Sequence, residues 1–157
     1  MNKLANRLIS FLNNELDIAT TDIHFMLNDI HKMQLNHLTT LINVEGSVKV
    51  LILISYQQSL FDEIFLRYTR DLSIAEDELE EAMVDSAGDI INIIVGNTLT
   101  DINNEPKKII MSPPLIITAA KQLAGQRHAM FYKANLITAL GQLDIYLVSS
   151  TIGETDE

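Results

Sequence analysis

The fold class follows from one stretch of sequence, LTTLINVEGSVKVLILI, at residues 38–54. Two apolar runs rich in β-branched residues flank Gly46, which can take the positive φ of a tight turn. The pattern predicts a hairpin of two antiparallel strands, Leu38–Val44 and Val48–Ile54. Lys49 is the only charged residue of the second run, so we expect most of that strand to be covered on both faces of its sheet.

Helices are predicted on both sides of this hairpin. Apolar residues recur at helical spacing over residues 3–17 and again over residues 56–70. A third helix begins near Ser73 and meets no stop signal before Asn103-Asn104, which predicts a length of about 45 Å at about 1.5 Å per residue. The second and third helices each follow the pattern of a capping box, Ser55 with Gln58 and Ser73 with Glu76.

The remaining strands lie near the two ends of the chain. Alternation over Ile23, Phe25 and Leu27 is a weak strand signal, and two apolar runs bracket Gly141 as in a second hairpin. Short apolar runs also stand on either side of Pro113-Pro114. The ranges after the third helix are residues 108–111, 115–118, 128–138 and 142–149. This order predicts an α+β fold with about three helices on a mostly antiparallel sheet.

Composition limits the class of protein. A chain of 157 residues fits one domain, which we place at residues 1–150, followed by an acidic flexible tail at residues 151–157. The net charge of −10 disfavours nucleic acids and anionic membranes as partners. There is no cysteine, and the first residues lack the continuous apolar region of a signal peptide, so we expect a cytoplasmic protein.

The third helix has two faces of different character. Its apolar face is formed by Val84, Ala87, Ile91, Ile94 and Val95. The opposite row is Asp85, Asp89, Asn92 and Gly96. This composition does not favour helix stability. Asp85 and Asp89 place two like charges one turn apart, and Gly88 and Gly96 each cost about 1 kcal/mol relative to alanine. The row is either a solvated outer face or a bare strip on which a protein partner docks.

The row resembles the signature of the CheC/CheX chemotaxis phosphatases. The family pattern is an Asp or Ser, three residues, a Glu, two residues, an Asn, and a Pro about twenty-two residues later. Here Asp85, Asp89 and Asn92 stand at that spacing, and Pro113-Pro114 follow. The chain departs from the pattern at Asp89, where the family has Glu. The first helix has Asn13 without an acid three residues before it, so one site per chain is implied, as in CheX.

The resemblance implies a CheX/CheC-like fold and a phosphatase that removes phosphate from the phosphoaspartate of a CheY-like response regulator. Asn92 would orient the attacking water, and Asp89 would pair with the receiver's Lys. Asp85, Gly88 and Gly96 would contact the partner. The Mg²⁺ would belong to the receiver domain, with no cofactor bound by this chain. A homodimer is also implied.

Two other functions stay open. In the first, the same surface binds a response regulator or another signalling protein without catalysis, because Asp is about 1 Å shorter than Glu and misplacements of that size can cost about a hundredfold in rate. In the second, the chain is a structural α+β domain whose acidic row is only solvated. The histidines at positions 24, 31, 37 and 128 lack the spacing of a metal site.

Overall fold

The computed structural model describes residues 1–27, 32–47, 49–102, 109–119, 121–124 and 129–150. The predicted tail and the residues around Asn103-Asn104 lie outside these ranges. The helices are α1 (Asn2–Leu16), α2 (Gln58–Tyr68) and α3 (Leu79–Ile102), with a short 3-10 turn at Glu76–Glu78 before α3. The strands are β1 (Thr20–Leu27), β2 (Lys32–Leu35), β3 (Leu38–Glu45), β4 (Val50–Tyr56), β5 (Ile110–Met111), β6 (Leu115–Ile117), β7 (Lys121–Ala124), β8 (Ala129–Thr138) and β9 (Gly141–Ser150).

Within the described residues, the main sheet has seven strands in the order β1-β8-β9-β4-β3-β5, and β6 pairs with β3 beside β5. All of its pairings are antiparallel. This confirms the predicted α+β fold. Both predicted hairpins are present, and the first of them supplies β3 and β4 at the centre of the sheet.

Glycine makes the turns of the two hairpins. Gly46 has a φ of 130° and Gly141 a φ of 142°, both in the region that side chains rarely adopt. At Gly141 space is also short, because a Cβ atom would lie 2.8 Å from the Ser59 hydroxyl oxygen. The second turn is therefore set against the start of α2.

The three helices cover one face of the sheet. The apolar stripe of α1 is buried as predicted, and it joins the buried residues of α2, α3 and the inward side chains of the strands in one core. Ile42 on β3, Ile54 on β4 and Ile145 on β9 contribute from the sheet and are fully buried. This packing holds α3 against β3 and α1.

A two-stranded sheet of β2 and β7 lies on the other face, and the sequence pattern predicts neither strand. Met33 and Leu35 of β2 pack on Leu53 of β4 and Tyr146 of β9. These contacts from β2 cover Leu53 on the second face of β4, a strand that was predicted to be covered on both faces. Four-residue strands such as these have little periodicity of their own, so contacts from distant parts of the chain place them.

Both predicted capping boxes are wrong. Ser55 lies inside β4, where its hydroxyl accepts a hydrogen bond from the Asn36 backbone N–H at 2.7 Å, and α2 begins after Gln57 instead. Near Ser73 the chain forms the 3-10 turn first, with Ala75 before it and no side-chain cap. Helix α3 therefore has 24 residues and a length of about 36 Å, shorter than predicted.

Candidate active site

Helix α3 is positioned by its buried face. Ala87, Ile91, Ile94 and Val95 are buried against the sheet and α1, as the apolar pattern predicts. Glu80 and Glu81 lie in the first turn, where the helix dipole favours negative charge. The helix is therefore a rigid support whose outer face can hold side chains in a constant relative position.

The outer face of α3 presents Asp85, Asp89 and Asn92 to solvent. The side-chain hydrogen bonds found within the described parts of the chain include none from these three residues. Gly96 lies in the same row, and a Cβ atom built there would meet nothing within 4 Å. The structure thus brings four of the five predicted site residues together on one open strip, which we call the acidic row.

Gly88 is placed differently from the other predicted site residues. It is buried, and a Cβ atom added to it would lie 3.3 Å from Cγ of Pro114. Ile116 of β6 is also within 4.0 Å of that position. Gly88 therefore has a packing role within the chain, because it lets the segment before β6 approach α3. Through this approach Pro114, which belongs to the family pattern, contacts the helix that carries the acidic row.

A cavity of about 400 Å³ lies beside the acidic row, between α1, the end of α2 and α3. Tyr68, Ile93 and Asn97 are among its lining residues. Burial raises the pKa of the Tyr68 hydroxyl, and the negative charge of Asp89 raises it further. This interaction links the end of α2 to the acidic row, and the sequence pattern does not predict it.

The other candidate groups are separate from this site. His24 is exposed and contacts the Asp22 carboxylate at 3.0 Å. His31 and His128 lie outside the described residues. Within the ranges that the structure describes, no group of three or more His, Asp or Glu side chains is arranged to hold a metal ion. Asn13 on α1 is exposed and donates a hydrogen bond to Asn14 at 3.3 Å.

A family model described as chemotaxis phosphatase CheX matches residues 38–133, which include β3, β4, α2, α3 and the acidic row. The chain belongs to the CheX family. The resemblance inferred from the spacing of Asp85, Asp89 and Asn92 is thereby confirmed at the level of the family. No curated protein matches the chain.

Solved CheX structures share the fold at low sequence identity. CheX from Desulfovibrio desulfuricans has a TM-score of 0.79 and 9% identity, with 94% of this chain and 97% of that chain covered. CheX from Vibrio vulnificus has a TM-score of 0.70 and 14% identity, with coverage of 94% and 96%. The Borrelia burgdorferi complex of CheX with CheY, BeF3 and Mg²⁺ gives a TM-score of 0.61 and 15% identity, with coverage of 95% and 97%.

Among the residues that the structure describes, none of the helices combines the length and the hydrophobicity that a bilayer crossing requires.

Proposed function

We propose that this chain is a phosphatase for the phosphoaspartate of a CheY-like receiver domain. Asp89 and Asn92 are its working residues. The observation that best supports the proposal is the joint exposure of these two side chains on one face of a helix whose other face is buried. The membership in the CheX family and the B. burgdorferi complex of a CheX with CheY support the class of partner.

The reaction requires little covalent chemistry from the chain. A water attacks the phosphorus, the bond from phosphorus to the aspartyl oxygen breaks, and inorganic phosphate and the receiver's carboxylate are released. The side-chain oxygen of Asn92 accepts a hydrogen bond from that water, and its NH₂ group donates one. Asp89 pairs with the receiver's Lys and sets the angle at which Asn92 enters. The Mg²⁺ belongs to the receiver domain, and this chain supplies no cofactor.

A second candidate function is a binding module without catalysis. It is favoured by one observation, the presence of Asp89 where the family pattern has Glu, because the shorter acid has less reach. The negative charge is retained, so the acidic row can still attract a Lys of the partner.

We also propose that the chain forms a homodimer in the cytoplasm. Strand β1 lies at one edge of the main sheet, and an edge strand offers unpaired backbone groups to a second copy. Phe25 and Met26 on this strand are about half exposed, at 52% and 47%. Covering this apolar edge with a second copy of the chain would remove exposed carbon surface from water.

The function is tested with a CheY-like protein phosphorylated by a small phosphodonor. Adding the chain should speed the loss of phosphate, and Asn92→Ala should reduce that acceleration by about a hundredfold, since the water loses its orienting group. Asn6→Ala is the matched control, because Asn6 is also exposed on a helix but lies on α1. Circular dichroism of all three proteins should agree.

Two results would contradict the proposal. If wild type and Asn92→Ala bind the receiver equally and neither speeds phosphate loss, the binding module is the correct function. If the wild type does not bind the receiver at all, the acidic row is only a solvated face.

A further inference from the structure

The cavity beside the acidic row opens next to the residues of the proposed reaction. Ile93 follows Asn92 directly and lies one helical turn beyond Asp89, and it lines the cavity. Its side chain is 40% exposed. Any protein that covers Asp89 and Asn92 must therefore also approach Ile93 and the mouth of the cavity.

Part of the cavity wall is apolar and aromatic, and the rest of the lining includes polar side chains such as Glu15 and Asn97. Tyr68 packs against Phe11 with ring centroids 6.3 Å apart, and both rings line the cavity beside Ile93 and Ile94. These side chains belong to three different helices, all held by the main core. The wall is therefore preformed. Phe11 and Ile94 are already buried, so the carbon surface that an apolar group could cover belongs to Tyr68 and Ile93.

Of the residues that the structure describes, three arginines line the cavity, but two of them are already engaged within the chain. Arg7 makes two hydrogen bonds of 2.5 Å to the Asp101 carboxylate. Arg67 bonds Glu63 at 2.7 Å and donates to the backbone carbonyls of Leu16 and Asp17, so it caps the end of α1.

Arg70 is in a different situation. Its closest acidic neighbour within the described residues is Asp71, at 3.8 Å, and both side chains are mostly exposed. Such a surface pair contributes little, so Arg70 can exchange Asp71 for an acid of a partner at small cost. Among the described residues, the acidic row therefore has beside it a partly apolar cavity wall and, at the edge of the cavity, the exposed cation of Arg70.

We propose that this cavity is the second contact site for the receiver domain, where an apolar side chain of the receiver packs on Tyr68 and Ile93 while a receiver carboxylate pairs with Arg70. This inference rests on the proposed function, since it takes its partner from there. The acidic row recognises the Lys and performs the chemistry, and the cavity supplies affinity. A few buried apolar and arginine contacts carry most of the binding energy of protein interfaces, whereas exposed ion pairs carry little.

The test separates binding from turnover. Phosphate release is measured against receiver concentration for wild type, Ile93→Ala, Arg70→Gln and Leu66→Ala. We expect Ile93→Ala to raise KM about tenfold with kcat nearly unchanged, because the cavity contact does not reach the phosphorus. Arg70→Gln should raise KM about threefold and reduce its sensitivity to salt.

Leu66→Ala is the matched control and should leave both parameters unchanged. Leu66 is 63% exposed on α2. Because it lies two residues before Tyr68, its side chain points about 200° away from Tyr68 around the helix, and it does not line the cavity. Binding of the receiver carrying BeF3 and Mg²⁺ to the same four proteins is measured in parallel by titration calorimetry. This second measurement tests the cavity even if turnover is absent.

The possible failures can be told apart. If Asn92→Ala loses turnover while Ile93→Ala and Arg70→Gln behave like Leu66→Ala, the cavity inference is wrong and the proposed function stands. If turnover is absent but the Ile93 and Arg70 variants bind the receiver more weakly, the cavity inference stands without catalysis. If the wild type does not bind the receiver, both are wrong.

Discussion

At the scale of single residues, the least expected feature is Asp89. It occupies the position of the family's Glu on an exposed face, where one methylene changes the reach of the carboxylate by about 1 Å. If reach limits the reaction, Asp89→Glu should raise kcat/KM up to about tenfold. Asp89→Asn should lower kcat/KM, and the remaining activity should be less sensitive to salt, since the ion pair that salt screens is lost.

These two variants are measured by phosphate release at several ionic strengths. A rate for Asp89→Glu at or below wild type would mean that the helix or its partner is adjusted to the shorter acid. Equal rates for wild type, Asp89→Asn and Asp89→Glu would remove Asp89 from the mechanism.

A substitution at Gly96 should change the stability of helix α3 and the affinity for the receiver in opposite directions. A Cβ atom meets nothing within 4 Å there, so Gly96→Ala should stabilise the helix by about 1 kcal/mol and raise Tm by about 3 °C. Because the added methyl stands in the acidic row, receiver affinity should fall if the partner approaches the helix backbone.

Thermal unfolding and receiver titration check the two effects separately. The comparison variant is Gly88→Ala, whose Cβ would stand 3.3 Å from Pro114, so its gain in Tm should be smaller or reversed. Unchanged affinity in a more stable Gly96→Ala protein would show that Gly96 does not lie in the docking surface.

At the scale of elements, the end of α1 is the clearest case of a conformational cost. Asp17 ends the helix with φ 54° and ψ 40°, a left-handed conformation that suits glycine better, and its carboxylate stands at the negative end of the helix dipole. Asp17→Gly should therefore increase the free energy of unfolding by up to about 1 kcal/mol. The hydrogen bonds from Arg67 go to backbone carbonyls and should persist.

Chemical denaturation of wild type, Asp17→Gly and Asp17→Ala measures this effect. Alanine removes the carboxylate but keeps the cost of a positive φ, so Asp17→Ala should gain less than Asp17→Gly. If the two variants gain equally, the charge and not the backbone conformation is the cause.

At the scale of the whole molecule, the free edge of the sheet leads to a prediction about assembly. Light scattering at micromolar concentration should give about twice the 17.6 kDa chain mass. Phe25→Asp should shift the mass toward the monomer, because it places a charge on the exposed part of β1. Leu66→Asp, at an exposed position of α2, should leave the mass unchanged. A wild type that is monomeric at this concentration would contradict the homodimer.

Elements with a local sequence pattern could be predicted before the structure was known. The stripe of α1, the two hairpins around Gly46 and Gly141, and the exposed row on α3 each follow from the spacing of residues within one segment, and the structure has them where the pattern predicted. A side chain three or four residues from another shares its helix face whatever the rest of the chain does. The positions of Asp89 and Asn92 on one face are of this kind.

Contacts between residues far apart in the chain could not be predicted from these local patterns. Gly88 meets Pro114, Asp89 lies near Tyr68, and β2 pairs with β7 on the second face of the sheet. The predicted helix cap at Ser55 was wrong for the same reason. Ser55 lies inside the sheet, where its hydroxyl oxygen accepts a hydrogen bond from the distant Asn36 N–H. Local patterns specify which face of a helix or strand is apolar. Which other element of the chain covers that face depends on the packing of the whole core.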